Sequence, residues 1–127
     1  MSDPTKIFQI LDSDSQEEKI KVLESLAQSN KPEIIKKIIS MLSDSEIRVR
    51  GEAFSSLLLN KNNISEFLIQ SLTSDNNNRG FSALVLANRG DSNAIPALEI
   101  LTEDTSSIVR SYALGALEYL RANKAGT

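Results

Sequence analysis

The chain repeats itself. Segments 42–53, 72–82 and 101–113 align on one another: each opens on a leucine (Leu42, Leu72, Leu101) and reaches an aspartate two or three residues later (Asp44, Asp75, Asp104). An arginine follows in each (Arg50, Arg79, Arg110). A fainter copy lies upstream, running from Leu11 through Lys19. Taking Lys19, Arg50, Arg79 and Arg110 as anchors gives spacings of 31, 29 and 31 residues. Self-similarity at a period of 20–50 residues is the signature of a chain built from stacked supersecondary units, none of which buries its apolar face alone.

The units are helical. Three residues after each anchor stands Val22, Ala53, Ser82 or Ala113, and four further on stands Leu26, Leu57, Leu86 or Leu117, a spacing that places both on one helix face. A second apolar segment precedes each of the later copies: Ile34, Ile35, Ile38, Ile39 and Leu42; then Phe67, Leu68 and Leu72; then Ile95, Leu98 and Leu101. Gaps of three and four belong to helices, and no run alternates long enough for a strand. Pro4 and Pro32 suit a first helical turn, Asp44, Asp75 and Asp104 suit N-caps, and Gly90-Asp91 interrupts the chain between helices. The pattern predicts an all-α fold of eight helices, at about 4–11, 15–28, 32–42, 45–59, 64–73, 76–88, 93–102 and 105–122. They form four pairs in a single domain, 1–127, with repeat units at about 3–29, 31–60, 63–89 and 92–122.

In Asp44–Leu57 and Asp104–Leu117 the pattern of a leading aspartate, then Val-Arg-x-x-Ala-x-x-x-Leu, resembles the short HEAT-like repeat also found in phycobilin lyase subunits. The resemblance covers nearly the whole chain. It implies a right-handed α-α superhelix, a solenoid of about four HEAT-like helix pairs in which the second helix of each pair lines the concave side. The third copy departs from the pattern, with Asn78 in place of valine and Ser82 in place of alanine, which would loosen that pair; the first has Lys19 for arginine. In such repeats the aspartate caps a helix and the arginine pairs with carboxylates or carbonyls of an adjoining repeat. Residues that recur once per repeat serve the stacking, so a binding site belongs where the repeats differ.

They differ two and five positions past each anchor. The residues there are Lys21, Glu52, Phe81 and Tyr112, then Glu24, Ser55, Leu84 and Gly115: charge gives way to aromatic and apolar character toward the C-terminal half. With Tyr119 a further turn along, Phe81, Leu84 and Tyr112 form a candidate partner-binding patch rimmed by Glu52 and Glu118. The competing reading is that these rings tuck between repeats as ordinary core.

Composition narrows the chemistry. The 127 residues include no histidine and no cysteine. That removes His-based triads, thiolate nucleophiles, disulfides, the common zinc sites and the His-Glu di-iron site of some HEAT-like hydroxylases. Asp12-x-Asp14-x-Gln16 faintly matches a calcium loop but fails where Glu17 replaces the glycine and Leu23 the bidentate glutamate. The five glycines are too dispersed for a phosphate cradle; Gly51 and Gly80, just after their anchors, instead permit close helix approach. No catalytic residue, metal or cofactor is expected, and the chain is not expected to be an enzyme.

Net charge is −3, and residues 1–62 hold 9 basic and 10 acidic side chains against 5 and 7 in the remainder. A phosphate-binding surface needs concentrated positive charge, so nucleic acid is not expected as a partner. Lys19, Lys21, Lys36, Lys37, Arg48 and Arg50 make a strip that interspersed glutamates dilute, with no aromatic residue interleaved for base stacking. There is no secretory leader pattern and no apolar run of membrane-spanning length, so a reducing cytoplasm and no membrane are expected.

The leading expectation is a noncatalytic scaffold or interaction module that binds a protein or peptide partner. The alternative, implied by the resemblance, is an accessory or lyase-type subunit handling a tetrapyrrole chromophore, for which a histidine ligand or thiol acceptor is absent. A third class is an assembly role through stacked end repeats; otherwise a monomer or weak self-association is expected.

Overall fold

The computed structural model describes residues 4–73 and 78–125. Among them are eight α-helices and no strand: α1 (Pro4–Leu11), α2 (Gln16–Ser25), α3 (Pro32–Ser40), α4 (Ile47–Leu59), α5 (Ser65–Ser71), α6 (Asn78–Arg89), α7 (Ile95–Leu101) and α8 (Ser107–Ala125). Single 3-10 turns extend α3 (Met41–Ser43) and lead into α7 (Ser92–Ala94). The chain divides into two compact units, Met1–Asn62 and Asn63–Thr127, and the boundary falls between the second and third repeats.

Local chemistry sets the helix ends. Ser15 caps α2 by accepting the Glu18 N–H on its Oγ at 3.3 Å, and Glu17 and Glu18 add negative charge to the first turn, where the helix dipole favours it. Pro32 opens α3 at a position whose N–H has no helical partner. Helix α6 closes on Gly90 at φ +75°, a left-handed conformation that glycine adopts freely. There the Gly90 N–H reaches the Ala87 carbonyl and the Asp91 N–H the Leu86 carbonyl, a Schellman closure that satisfies two terminal carbonyls.

In the first unit α1 packs on α2, α3 on α4, and α2 on α4. Ile7, Leu11, Leu23, Ile35, Ile38, Leu42, Val49, Ala53 and Leu57 are buried there. In the second unit α5 packs on α6, α7 on α8, and α6 on α8, around Leu68, Leu72, Ser82, Leu86, Leu98, Ala113 and Leu117. The in-phase positions are therefore core in three copies. In the first, Val22 is only half-buried and Leu23 is fully enclosed in its stead, one residue out of phase. In the third copy the serine that replaces alanine is accommodated inside the core. Ser82 is completely buried and its hydroxyl donates to Ser71 Oγ at 2.8 Å, so the group that replaced a methyl found a partner across the α5/α6 contact.

Polar bonds also tie the pairs of the first unit together. Ser56 Oγ donates to the Leu23 carbonyl at 3.0 Å in the interior. At the helix ends Gln28 Nε2 donates to the Leu59 carbonyl at 2.8 Å and Asn60 Nδ2 to the Ser29 carbonyl at 2.9 Å, satisfying carbonyls that a helix terminus leaves open.

Candidate functional site

The recurring Asp and basic residues are structural, but not quite as helix caps. Asp44 Oδ2 accepts the Glu46 N–H at 3.1 Å and Asp104 Oδ2 accepts the Ser106 N–H at 2.9 Å, each two residues on, in a turn that precedes the helix. The position that caps α4 is Glu46, without a side-chain bond. Asp75, the third aspartate, lies outside the described residues. Each aspartate also takes the anchor of the preceding repeat: Lys19 Nζ lies 3.2 Å from Asp44 Oδ1, the oxygen the turn leaves open, and Arg79 lies 3.1 Å from Asp104 Oδ2, the same oxygen that accepts the Ser106 N–H. Arg50 and Arg110 instead turn back within their own repeats, donating to the Asp44 and Asp104 carbonyls at 2.8 Å each. Lysine for arginine in the first copy thus keeps the anchor's contact. Asp104 is held below its ordinary value of 3.8, first by the Ser106 N–H and then by Arg79 and Arg110.

These contacts engage three members of the basic strip of the first unit, while Lys21, Lys36 and Arg48 are exposed. Lys19 is 6% exposed and bound to Asp44, Lys37 bonds Asp12, and Arg50 serves carbonyls. Asp12, the first residue of the calcium-loop-like segment, is thus held by Lys37.

The candidate patch falls on two elements that touch within the second unit. Phe81 and Leu84 come from α6, and Tyr112, Glu118 and Tyr119 from α8. The rings of Phe81 and Tyr112 meet at a centroid distance of 6.0 Å, inclined by 44°. Phe81, Leu84 and Tyr112 are half-buried, Glu118 is exposed, and Tyr119 is 49% exposed. The residues thus follow neither of the two sequence readings completely: Phe81 and Tyr112 brace α6 against α8 and still present surface, and Leu84 is half-buried on α6.

Glycine makes the bracing feasible. A Cβ at Gly80 would stand 2.5 Å from Tyr112 Cδ2, so the ring occupies space that any other residue would fill. Gly51, expected to serve the same purpose, has nothing within 4 Å of a notional Cβ and is exposed. Close approach at that position belongs to the third repeat and not to the second.

One member of the patch was not foreseen. Ile108 is 67% exposed and lines, with Gly80, Phe81, Val109 and Tyr112, a recess of about 310 Å3 between α6 and α8. It stands four residues before Tyr112, so helical spacing carries the signal, but it precedes the Arg110 anchor and lies outside the offsets after the anchors at which the repeats differ. Along α8, Ile108, Tyr112, Gly115 and Tyr119 now recur at gaps of four, three and four, one stripe of a single face. Leu114, 52% exposed, lies on the adjacent flank with Glu118.

Glu52, the other charged rim residue, is on α4 in the first unit, half-buried. Its pKa is raised above 4.5 by desolvation and then by the like charge of Glu24 on the neighbouring α2. A second recess, of about 410 Å3, opens in the first unit among Pro4, Ile7, Leu26, Lys31 and Ile34. Among the described residues Lys31 is its charged member, and no acid or base converges with it. No group of three or more His, Cys, Asp or Glu among the described residues is disposed to hold a metal, and none of their helices is long and apolar enough to cross a membrane.

No family model matches this chain, and no curated protein matches it. Among solved structures the chain is similar to the crystal structure of an engineered protein, a target of the Northeast Structural Genomics Consortium, with 21% sequence identity and a TM-score of 0.47. The match covers 91% of this chain and 61% of that one, so the chain spans less than two thirds of that protein's length.

Proposed function

We propose that this chain is a noncatalytic interaction module, built of HEAT-like helix pairs of the α-α superhelix class, that binds a protein or peptide partner on the α6/α8 face. The observation that carries the reading is the line of Ile108, Tyr112 and Tyr119 along α8, exposed at both ends and joined to Phe81 in the middle. Each large apolar side chain left in water forgoes about 1.5–3 kcal/mol of burial. Several such residues in one row, beside a recess, make a surface that a partner covers with gain. The repeat spacing and the lack of His and Cys support the noncatalytic part.

The test is affinity capture from a lysate with the wild-type chain and with an Ile108→Glu, Tyr119→Glu variant. Both side chains are well exposed, so circular dichroism is expected to report an unchanged helical fold. A protein captured by the wild type and lost by the variant supports the reading. Capture of the same protein by both moves the contact off this face, and turnover of a small molecule with no captured partner sinks the interaction reading altogether.

A further inference from the structure

We propose that the partner at the α6/α8 face is a second copy of this chain, with α8 of one copy packed antiparallel on α8 of the other about a two-fold axis beside Leu114. The inference rests on the reading of that face as a binding surface and names what covers it.

The repeats themselves show what covers such a helix. One, four and eight residues after its anchor, α6 carries Gly80, Ala83 and Ala87, all buried, and Gly80 abuts the Tyr112 ring of α8. The same places on α2 hold Ile20, Leu23 and Ala27, buried or half-buried, and Ser56 of α4 donates to the Leu23 carbonyl at 3.0 Å. In each unit this row is therefore the one that the following repeat's second helix covers. On α8 the row is Ser111, Leu114 and Glu118, and all three are exposed, Leu114 by 52%.

The side chains of that row select a second copy. A further helix pair, stacked on α8 as α8 is on α6, would enclose Glu118 at the place of Ala87, where a carboxylate without a partner is costly. A head-to-tail contact, α8 of one copy on α2 of another, brings Leu114 to a polar surface: α1 and α2 expose no large apolar side chain among the described residues, while Lys21 and Glu24 are exposed. Two α8 helices packed antiparallel about a point between Leu114 and Gly115 meet neither difficulty. One register then aligns three kinds of pair. Leu114 meets Leu114 of the second copy at the axis; Ser111 comes beside Glu118 of the second copy and donates its hydroxyl to that carboxylate; Ile108 comes beside Tyr119 of the second copy. The last two pairs occur twice by symmetry. The two Glu118 positions, seven residues of rise apart, stay separated by about 10 Å along the helices. Arg121 stands on the other flank of α8 from Ile108, bonded to Glu99 of α7, and takes no part in these pairs.

A contact of one helix from each copy is small, so the pair is expected to be dissociated at about 1 µM and populated at about 1 mM. Sedimentation equilibrium is expected to show a mass that rises from the monomer value to twice that value and no further. Leu114→Glu, at an exposed position where circular dichroism is expected to find the fold unchanged, is expected to weaken pairing at least about tenfold. Ser111→Lys, which sets a cation beside each Glu118, is expected to tighten it about fivefold at low salt. The chain has no cysteine, so a single introduced thiol reads the register. Leu114→Cys is expected to give a disulfide-linked dimer under mild oxidation, and Ile108→Cys, whose two copies stand about 20 Å apart along the helices, is not. A monomer mass maintained up to about 1 mM, a mass that climbs beyond the dimer, or equal crosslinking of the two thiols overturns the proposal. The face as a binding surface then still stands or falls on capture by the wild type against the Ile108→Glu, Tyr119→Glu variant, so the two failures are told apart.

Discussion

The ring of Tyr112 lies where a side chain on Gly80 would begin: its Cδ2 is 2.5 Å from the position of a Cβ at that glycine, thirty-two residues earlier in the chain. The contact sets how closely α6 and α8 approach and fixes the ring that Phe81 leans against.

Gly80→Ala is therefore expected to destabilise the protein by about 1–3 kcal/mol, as overpacking does, despite the higher helix propensity of alanine. Pairing it with Tyr112→Ala removes the clash, so the double variant is expected to be more stable than the sum of the singles. Gly51→Ala is the control: it enters open space in an exposed helix interior and is expected to stabilise by about 0.5–1 kcal/mol. Urea unfolding of the four variants checks the set, and a stabilising Gly80→Ala would refute the bracing role.

Lys19 and Asp44 lie 25 residues apart in the chain and are both little exposed. Removing the lysine leaves a partly enclosed carboxylate with the Glu46 N–H and no cation. Lys19→Met is expected to cost about 1–3 kcal/mol. Lys19→Arg is expected to restore most of it, because arginine makes the corresponding contact between Arg79 and Asp104. A double-mutant cycle with Asp44→Asn that shows no coupling would contradict the contact.

Asp104 is held below its ordinary value of 3.8 by the Ser106 N–H, Arg79 and Arg110. Its folded pKa is depressed, so its stabilising contribution is complete above the unfolded value and disappears as the pH falls below 3.8 through the folded one. Asp104→Asn is expected to lower the melting temperature at neutral pH, with the gap from wild type closing at pH values below 3.8. A gap that persists unchanged in strong acid would place the contribution in uncharged hydrogen bonds alone.

Glu52 behaves in the opposite sense. Desolvation and Glu24 raise its pKa above 4.5, so the native state resists ionisation that the unfolded chain accepts, and stability falls as the pH rises from below 4.5 through the folded value. Glu52→Gln is expected to be as stable as wild type in acid and more stable at neutral pH, within about 0.5 kcal/mol. Thermal melts at both pH values read the difference; a destabilised glutamine variant at neutral pH would show that the carboxylate is satisfied there.

The amino-acid order alone determined the eight helices and their pairing. Gaps of three and four, a proline in a first turn and a glycine after a last one act within a few residues of backbone, where no distant neighbour is needed to decide the outcome. The buried leucines and alanines of the later copies were legible for the same reason, since a helix that repeats in phase turns the same face inward each time. Tertiary structure decided what depends on a residue many turns away. Arg79 pairs across to the next repeat while Arg110 folds back onto its own turn, although the two occupy equivalent places in the repeat. Gly80 meets a ring and Gly51 meets open space, though each directly follows an arginine anchor. Whether Phe81 and Tyr112 are core or surface followed from that close approach of α6 to α8, which leaves each ring half covered and Ile108 and Tyr119 outside, because burial is a property of what packs against a side chain and not of the residue that carries it.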